Sequence, residues 1–252
     1  MLKRTGGAEV QLILLHGATL NGRMWDPVRR ELDPAYKVVA PDLPGHGARR
    51  AERYTLAAAV ETVRQCAAAY PASSVLLVGD SLGGYTAQAA AEAIPAGRLK
   101  GLVLGGSSAN LVGRHLLPYY ARMATFRLLI TLFGEPRLVA ALLPRKLRQM
   151  GITEADAEAL LAAGIQLGAF GQAVQSLSKF DFRRNLAHIS QPILFVNGDQ
   201  DRGMVAQEAS FVAAARAAQA HRFDRCGHGV SLLRPAEFAA LVNRFVAEVC
   251  AT

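Results

Sequence analysis

The stretch Gly79-Asp80-Ser81-Leu82-Gly83 sets a serine between glycines two places before and two places after it. A serine hydroxyl is too weak an acid to attack a carbonyl unless a neighbouring base takes its proton. Glycines at those two positions allow a turn so tight that the serine backbone is strained and its hydroxyl stands exposed. A base is available in Cys226-Gly227-His228-Gly229, where His228 alone among six histidines sits in a glycine-flanked turn near the end of the chain. An acid to orient that base is available in Pro192-Ile193-Leu194-Phe195-Val196-Asn197-Gly198-Asp199-Gln200-Asp201, an apolar run that ends in two aspartates. The chemistry these types support is acyl transfer through a serine nucleophile, with a histidine shuttling the proton.

These groups must be positioned by strands and helices. The apolar run Val75-Leu76-Leu77-Val78 precedes the serine and an alanine-rich helical run begins near Tyr85, giving a strand–turn–helix. The end of a strand is where α/β folds place their chemistry. His16-Gly17-Ala18 closes an earlier strand pattern, Val10 to Leu15, and such a turn can aim backbone N–H groups at a developing oxyanion. Six strand candidates, 10–15, 36–40, 74–79, 99–105, 192–197 and 220–224, alternate with helical stretches. Short runs of Val, Leu and Ile separated by helices predict a parallel sheet covered on both faces. The rhythm breaks after Gly105-Gly106-Ser107 and resumes only at Pro192. The residues between read as helices. Tyr119 to Phe133 is apolar and amphipathic, Pro136 and Thr153 mark helix starts, and Thr153-Glu154-Ala155-Asp156 resembles a capping box.

At 252 residues the chain is long enough for one large α/β domain. No apolar run approaches the ~18 residues of a membrane span. The basic start Met1-Leu2-Lys3-Arg4 is followed by too short an apolar stretch for a signal peptide, which predicts a cytoplasmic protein. Cys66, Cys226 and Cys250 are odd in number and show no framework spacing, so reduced thiols are expected. The net charge of +8 lacks the basic-aromatic stripe of a nucleic-acid groove. Between Ser108 and His188 ten cations face five anions. That excess is either a solvated helical surface or a field that steers an anionic or carrier-bound substrate.

Taken together, the serine turn, the HG turn, the acidic strand end and the late histidine resemble the α/β-hydrolase superfamily, in its compact bacterial serine esterase-like branch. The resemblance covers roughly residues 10–249 and is weakest in the middle. It implies an α/β-hydrolase fold with a mostly parallel six- to seven-stranded sheet flanked by helices. Residues 1–106 and 191–252 would form the core domain and residues 107–190 a helical cap over the active-site mouth. Few residues precede the first strand, so a leading antiparallel hairpin has little room. By the same resemblance Ser81 is the nucleophile, His228 the base, and Asp201, three residues after Gly198, the acid in preference to Asp199. The N–H groups of Ala18 and Leu82 would form the oxyanion hole. Trp25, Tyr119, Met123 and Phe126 are candidate pocket residues, and His16 is read as structural. No metal cluster is visible, and a Ser-His-Asp set needs no cofactor.

The expected activity is therefore hydrolysis of carboxylic esters, with lactones and thioesters included. The fold also carries C–C bond hydrolysis and cofactor-free perhydrolysis, and a hydrolase shell can serve as a non-catalytic small-molecule sensor. A carboxylate-nucleophile dehalogenase is disfavoured by Ser81.

Overall fold

A computed structural model describes residues 9–95 and 97–251. The chain runs β1 (Val10–Leu15), α1 (Asp26–Glu31), β2 (Lys37–Val39), α2 (Leu56–Ala68), β3 (Ser74–Asp80), α3 (Leu82–Ala90) and β4 (Leu99–Gly105). Five helices follow without a strand: α4 (Leu117–Phe133), α5 (Glu135–Gln149), α6 (Glu154–Ala162), α7 (Ala169–Leu177) and α8 (Phe182–Leu186). The alternation then resumes with β5 (Ile193–Gly198), α9 (Arg202–Ala214), β6 (Ala218–Phe223), α10 (Val230–Leu233) and α11 (Pro235–Cys250). The six strands fall where the apolar runs placed them, with β2 shortened and β6 beginning two residues early. The N-terminal segment, including the room for a leading hairpin, lies outside the described residues. No described helix is long and apolar enough to cross a membrane.

All neighbouring strands are parallel, in the order β2-β1-β3-β4-β5-β6. The chain leaves β1 to one side for β2 and returns to its other side for β3. The carboxyl ends of β1 and β3 therefore flank the switch point, where open α/β sheets leave a crevice. His16 follows β1 and Ser81 follows β3, so both land there.

Alternate residues of each strand feed two core layers. Leu12, Leu14, Leu76, Val78, Val103 and Val196 pack with Val28 of α1 and Phe238, Val242 and Phe245 of α11. Ile13, Leu15, Leu77, Leu104 and Phe195 face the other way, among Val63 of α2, Ala87 of α3 and Phe211 of α9. Burial on both sides explains why these strands read as continuous apolar runs rather than as alternating ones.

The helices between β4 and β5 are tied to the rest of the fold by polar contacts. Asn21 Nδ2 donates to the carbonyls of Leu160 and Gly164 at 2.9 and 2.8 Å. Arg30 grips Asp156 with two bonds of 2.9 and 2.7 Å, while Thr153 caps α6 by accepting from the Asp156 N–H. Gln172 and Ser176 of α7 accept the N–H groups of Tyr54 and Leu56. Helix α4 buries none of its residues completely. Its Tyr119 and Phe126 contact Phe170 of α7, whereas Leu128 and Leu132 face solvent.

Candidate active site

Ser81 adopts φ 54° and ψ −114° at the junction of β3 and α3. A positive φ is costly for a residue with a β-carbon and persists only where the surroundings impose it. Here the Ser81 N–H is held by the Gly105 carbonyl at 2.7 Å, and its own carbonyl accepts from Tyr85 N at 3.1 Å. The two glycines are required by close approach. A β-carbon on Gly79 would overlap the Gly83 backbone, and one on Gly83 would overlap the carbonyl of Leu15.

The exposed hydroxyl meets the late histidine. His228 Nε2 lies 2.9 Å from Ser81 Oγ, and His228 Nδ1 lies 2.6 Å from Asp201 Oδ2. With the ring neutral, Nδ1–H donates to the carboxylate and Nε2 accepts from the serine. Asp201 stands at the start of α9 but makes no capping bond, which leaves its carboxylate to the histidine. Asp199 does different work, accepting from the Cys226 N–H at 3.1 Å and holding the turn that carries His228. The Gln200 N–H reinforces that turn by donating to the Cys226 carbonyl at 2.9 Å. The two aspartates are thus split between loop and histidine.

Opposing effects act on His228. Crowding by surrounding protein disfavours its charged form, although 46 % of the side chain is reachable from the mouth of the site. The hydrogen bond and charge of Asp201, with the charge of Asp80 added, outweigh that effect and the opposing charge of Arg122. The net result is a pKa above the ordinary histidine value.

The HG turn packs directly against the serine. A β-carbon on Gly17 would stand 3.8 Å from Ser81 Cβ. The Gly17 N–H is taken by Met24 Sδ at 3.2 Å and that of Thr19 by His46 Nε2 at 3.1 Å. Among the described residues, the N–H groups of Ala18 and Leu82 have no protein acceptor.

His16 and His46 form a pair beneath this turn, edge to face with centroids 4.9 Å apart. The Leu43 N–H donates to His16 Nε2 at 2.9 Å, so His16 carries its proton on Nδ1 and gives it to the Gly17 carbonyl at 2.8 Å. His46 repeats the pattern, donating from Nδ1 to Pro44 O at 3.0 Å. Burial, the charge of His46 and a smaller opposing bond to Gly17 leave the His16 pKa at about 3. Burial likewise lowers that of His46. Both rings are neutral struts joining the turn after β1 to the loop after β2. The His16-Gly17 and His46-Gly47 dipeptides hint at special turns, but nothing in their spacing pairs the two rings.

The expected pocket residues divide. Trp25 is completely buried and packs on Phe238 of α11, so it belongs to the core and lines no open pocket. Tyr119, Met123 and Phe126 share one partly buried face of α4 against Phe170 and Gly171. Burial, with the charge of Asp201 added, raises the Tyr119 phenol. Two surface depressions, one bounded by Asp33, Tyr36 and Tyr70 and one by Ile152, Leu232 and Pro235, contain none of the site residues.

A polar network joining α9 to β5 and β6 has no counterpart among the sequence motifs. Glu208 of α9 accepts from Asn197 Nδ2 at 2.5 Å and from Arg222 Nε at 2.7 Å, fixing α9 to β5 and β6. Alternating polar residues at strand ends were its only signal.

The model of the alpha/beta hydrolase family matches residues 12–241, nearly the whole described chain. The chain belongs to the alpha/beta hydrolase family. It is an esterase-like hydrolase, and thus an enzyme. It is 33% identical over 250 residues to the pimeloyl-[acyl-carrier protein] methyl ester esterase of Xanthomonas campestris pv. campestris, covering 94% of each protein. Among solved structures it resembles a carboxylesterase of Nitrososphaera gargenis with a TM-score of 0.78 and 16% identity, over 96% of this chain and 92% of that one. It also resembles the enol-lactonase of Burkholderia xenovorans LB400, with a TM-score of 0.76 and 20% identity over 97% and 94% of the two chains. At such identities these two alpha/beta hydrolases speak for the shared fold.

Proposed function

We propose that the protein hydrolyses carboxylic esters through a covalent acyl-enzyme on Ser81, and that its substrate is the methyl ester of an acyl chain borne by an acyl carrier protein. The observation that carries the chemistry is the unbroken line of hydrogen bonds from Asp201 through His228 to Ser81. In this reading Ser81 Oγ attacks the ester carbonyl while its proton passes to His228 Nε2. Asp201 holds the ring in the tautomer that can accept that proton and stabilises the imidazolium. The Ala18 and Leu82 N–H groups receive the oxyanion, and each such donor is worth about 3–4 kcal/mol in the transition state. His228 then returns the proton to the departing alkoxide. Water, deprotonated by the same histidine, releases the acid.

The carrier-bound substrate is supported by the X. campestris relative and by the cationic segment between β4 and β5. Residues 107–190 act in this reading as a cap on the core formed by residues 1–106 and 191–252. Tyr119, Met123 and Phe126 present its apolar side to the acyl chain.

The test is a comparison of initial rates on the methyl ester of a carrier-bound dicarboxylic acyl chain, on the same ester free of carrier, and on short p-nitrophenyl esters. Turnover of the carrier-bound ester with kcat/KM at least tenfold above the free ester supports the reading. Equal rates on both remove the carrier from it, and no turnover of any ester by the folded protein removes the hydrolase chemistry.

A further inference from the structure

The residue before the nucleophile is a buried carboxylate that the reaction scheme leaves without a task. Asp80 is 1% exposed. Its Oδ2 accepts from the hydroxyl of Ser231 and, at 3.4 Å, from the Ser231 N–H. Ser231 is itself completely buried and lies three residues beyond His228, in α10. The contact therefore joins the turn that carries the nucleophile to the turn that carries the base. On its other side, Asp80 backs onto Gly106. A β-carbon on Gly106 would stand 2.9 Å from His228 Cε1 and 3.6 Å from Asp80 Oδ1. The space a Gly106 side chain would occupy thus borders both this carboxylate and the imidazole.

We infer that Asp80 is a second acidic positioning residue, which through Ser231 fixes the His228 turn to the nucleophile turn and adds its charge to that of Asp201 against the histidine. The inference rests on the reading of Ser81 and His228 as nucleophile and base. Geometry supplies the reason. Removing a buried carboxylate frees Ser231 from its acceptor and takes a negative charge from behind the imidazole, which stabilises the protonated ring less. The field of Asp80 on His228 has the raising sign.

Other groups around the histidine are accounted for. Asp201 faces Nδ1 from the start of α9, and Arg122 of α4 opposes protonation from the mouth of the site. Tyr85 of α3 and Tyr119 of α4 face Asp201, and both phenols are raised by burial, so they stay neutral while the histidine titrates. The Cys226 thiol on the same loop is likewise raised by burial. Besides Asp201, Asp80 is a carboxylate whose charge bears on His228.

The experiment measures the His228 titration directly, by imidazole nitrogen NMR of wild type, Asp80→Asn and Ser231→Ala, with the resonance assigned by its loss in His228→Gln. Rates on p-nitrophenyl butyrate against pH are recorded alongside. Asp80→Asn is expected to lower the His228 midpoint by about half a pH unit or more. It should reduce kcat on the order of tenfold with KM little changed. Ser231→Ala, which keeps the charge, is expected to lower kcat several-fold with a smaller movement of the midpoint. A folded Asp80→Asn whose midpoint stays at the wild-type value overturns the inference. If that variant does not fold, wild-type kcat in Ser231→Ala overturns it. Absence of ester turnover in the wild type would instead defeat the hydrolase reading, and the NMR titration would still decide the role of Asp80.

Discussion

The imidazole of His228 lies so close to Gly106 that a β-carbon there would come within 2.9 Å of its Cε1. Gly106 also has φ +53°, a conformation that side chains rarely adopt. Both demands fall on the residue that follows β4. Gly106→Ala is therefore expected to displace the ring from Ser81. A misplacement of this kind costs turnover on the order of 10²-fold. Rates on a p-nitrophenyl ester, with circular dichroism to verify folding, check it. A folded variant with wild-type turnover would show that the ring position is not constrained there.

The pH dependence follows from the same ring. A base must be neutral to accept a proton, and the Asp201 bond and charge hold His228 above the usual histidine value of about 6.5. The kcat/KM of the wild type is expected to fall as pH drops through a midpoint above that value. Asp201→Asn removes the charge and should shift the midpoint down while lowering kcat by on the order of 10²- to 10⁴-fold. A pH–rate profile from pH 5 to 9 reads both effects.

Asp199 provides the contrast. Its carboxylate holds the Cys226 N–H and makes no bond to His228. Asp199→Asn should lower the melting temperature while keeping kcat within about tenfold of wild type, since the loss of a loop contact acts on the catalytic turn only indirectly. A larger loss of turnover in Asp199→Asn than in Asp201→Asn would exchange their roles.

The buried histidine pair also makes the fold sensitive to acid. His16 titrates at about 3 in the folded protein, against about 6.5 for an unfolded histidine. Between these values the unfolded chain binds a proton that the folded chain refuses, so stability is fully present above about 6.5 and is lost as pH falls toward 3. His46, also lowered, acts with the same sign, and the raised His228 acts with the opposite one. Urea unfolding between pH 7 and pH 4.5 should show a decline whose His16 component reaches about 1.4 kcal/mol per pH unit. His16→Gln should flatten that slope. A wild type equally stable at both ends of the range would contradict the account of the pair.

Much of this was legible because the constraints were local. Gly79 and Gly83 announce the serine turn since no other residue fits against the Gly83 backbone and the Leu15 carbonyl. Apolar runs announce the strands since both faces of the sheet are covered. Thr153 announces the start of α6 since its hydroxyl receives the Asp156 N–H. The unread contacts join residues far apart in the chain. Nothing in the neighbourhood of Asp80 points to Ser231, or in that of His16 to Leu43, until the sheet order brings them together. Trp25 misleads for a related reason. A large aromatic just after the His16-Gly17 turn suits pocket and core equally, and its complete burial against Phe238 of the last helix places it in the core.

The central claim, that Ser81 is the nucleophile, is tested most directly by covalent trapping. The protein is incubated with a p-nitrophenyl organophosphate, then analysed by intact mass and peptide mapping, with Ser81→Ala alongside. The account predicts one adduct per chain, located on Ser81, with loss of ester turnover in step with labelling and no adduct in the variant. Labelling of another residue, or steady ester turnover by Ser81→Ala within tenfold of wild type, would contradict it.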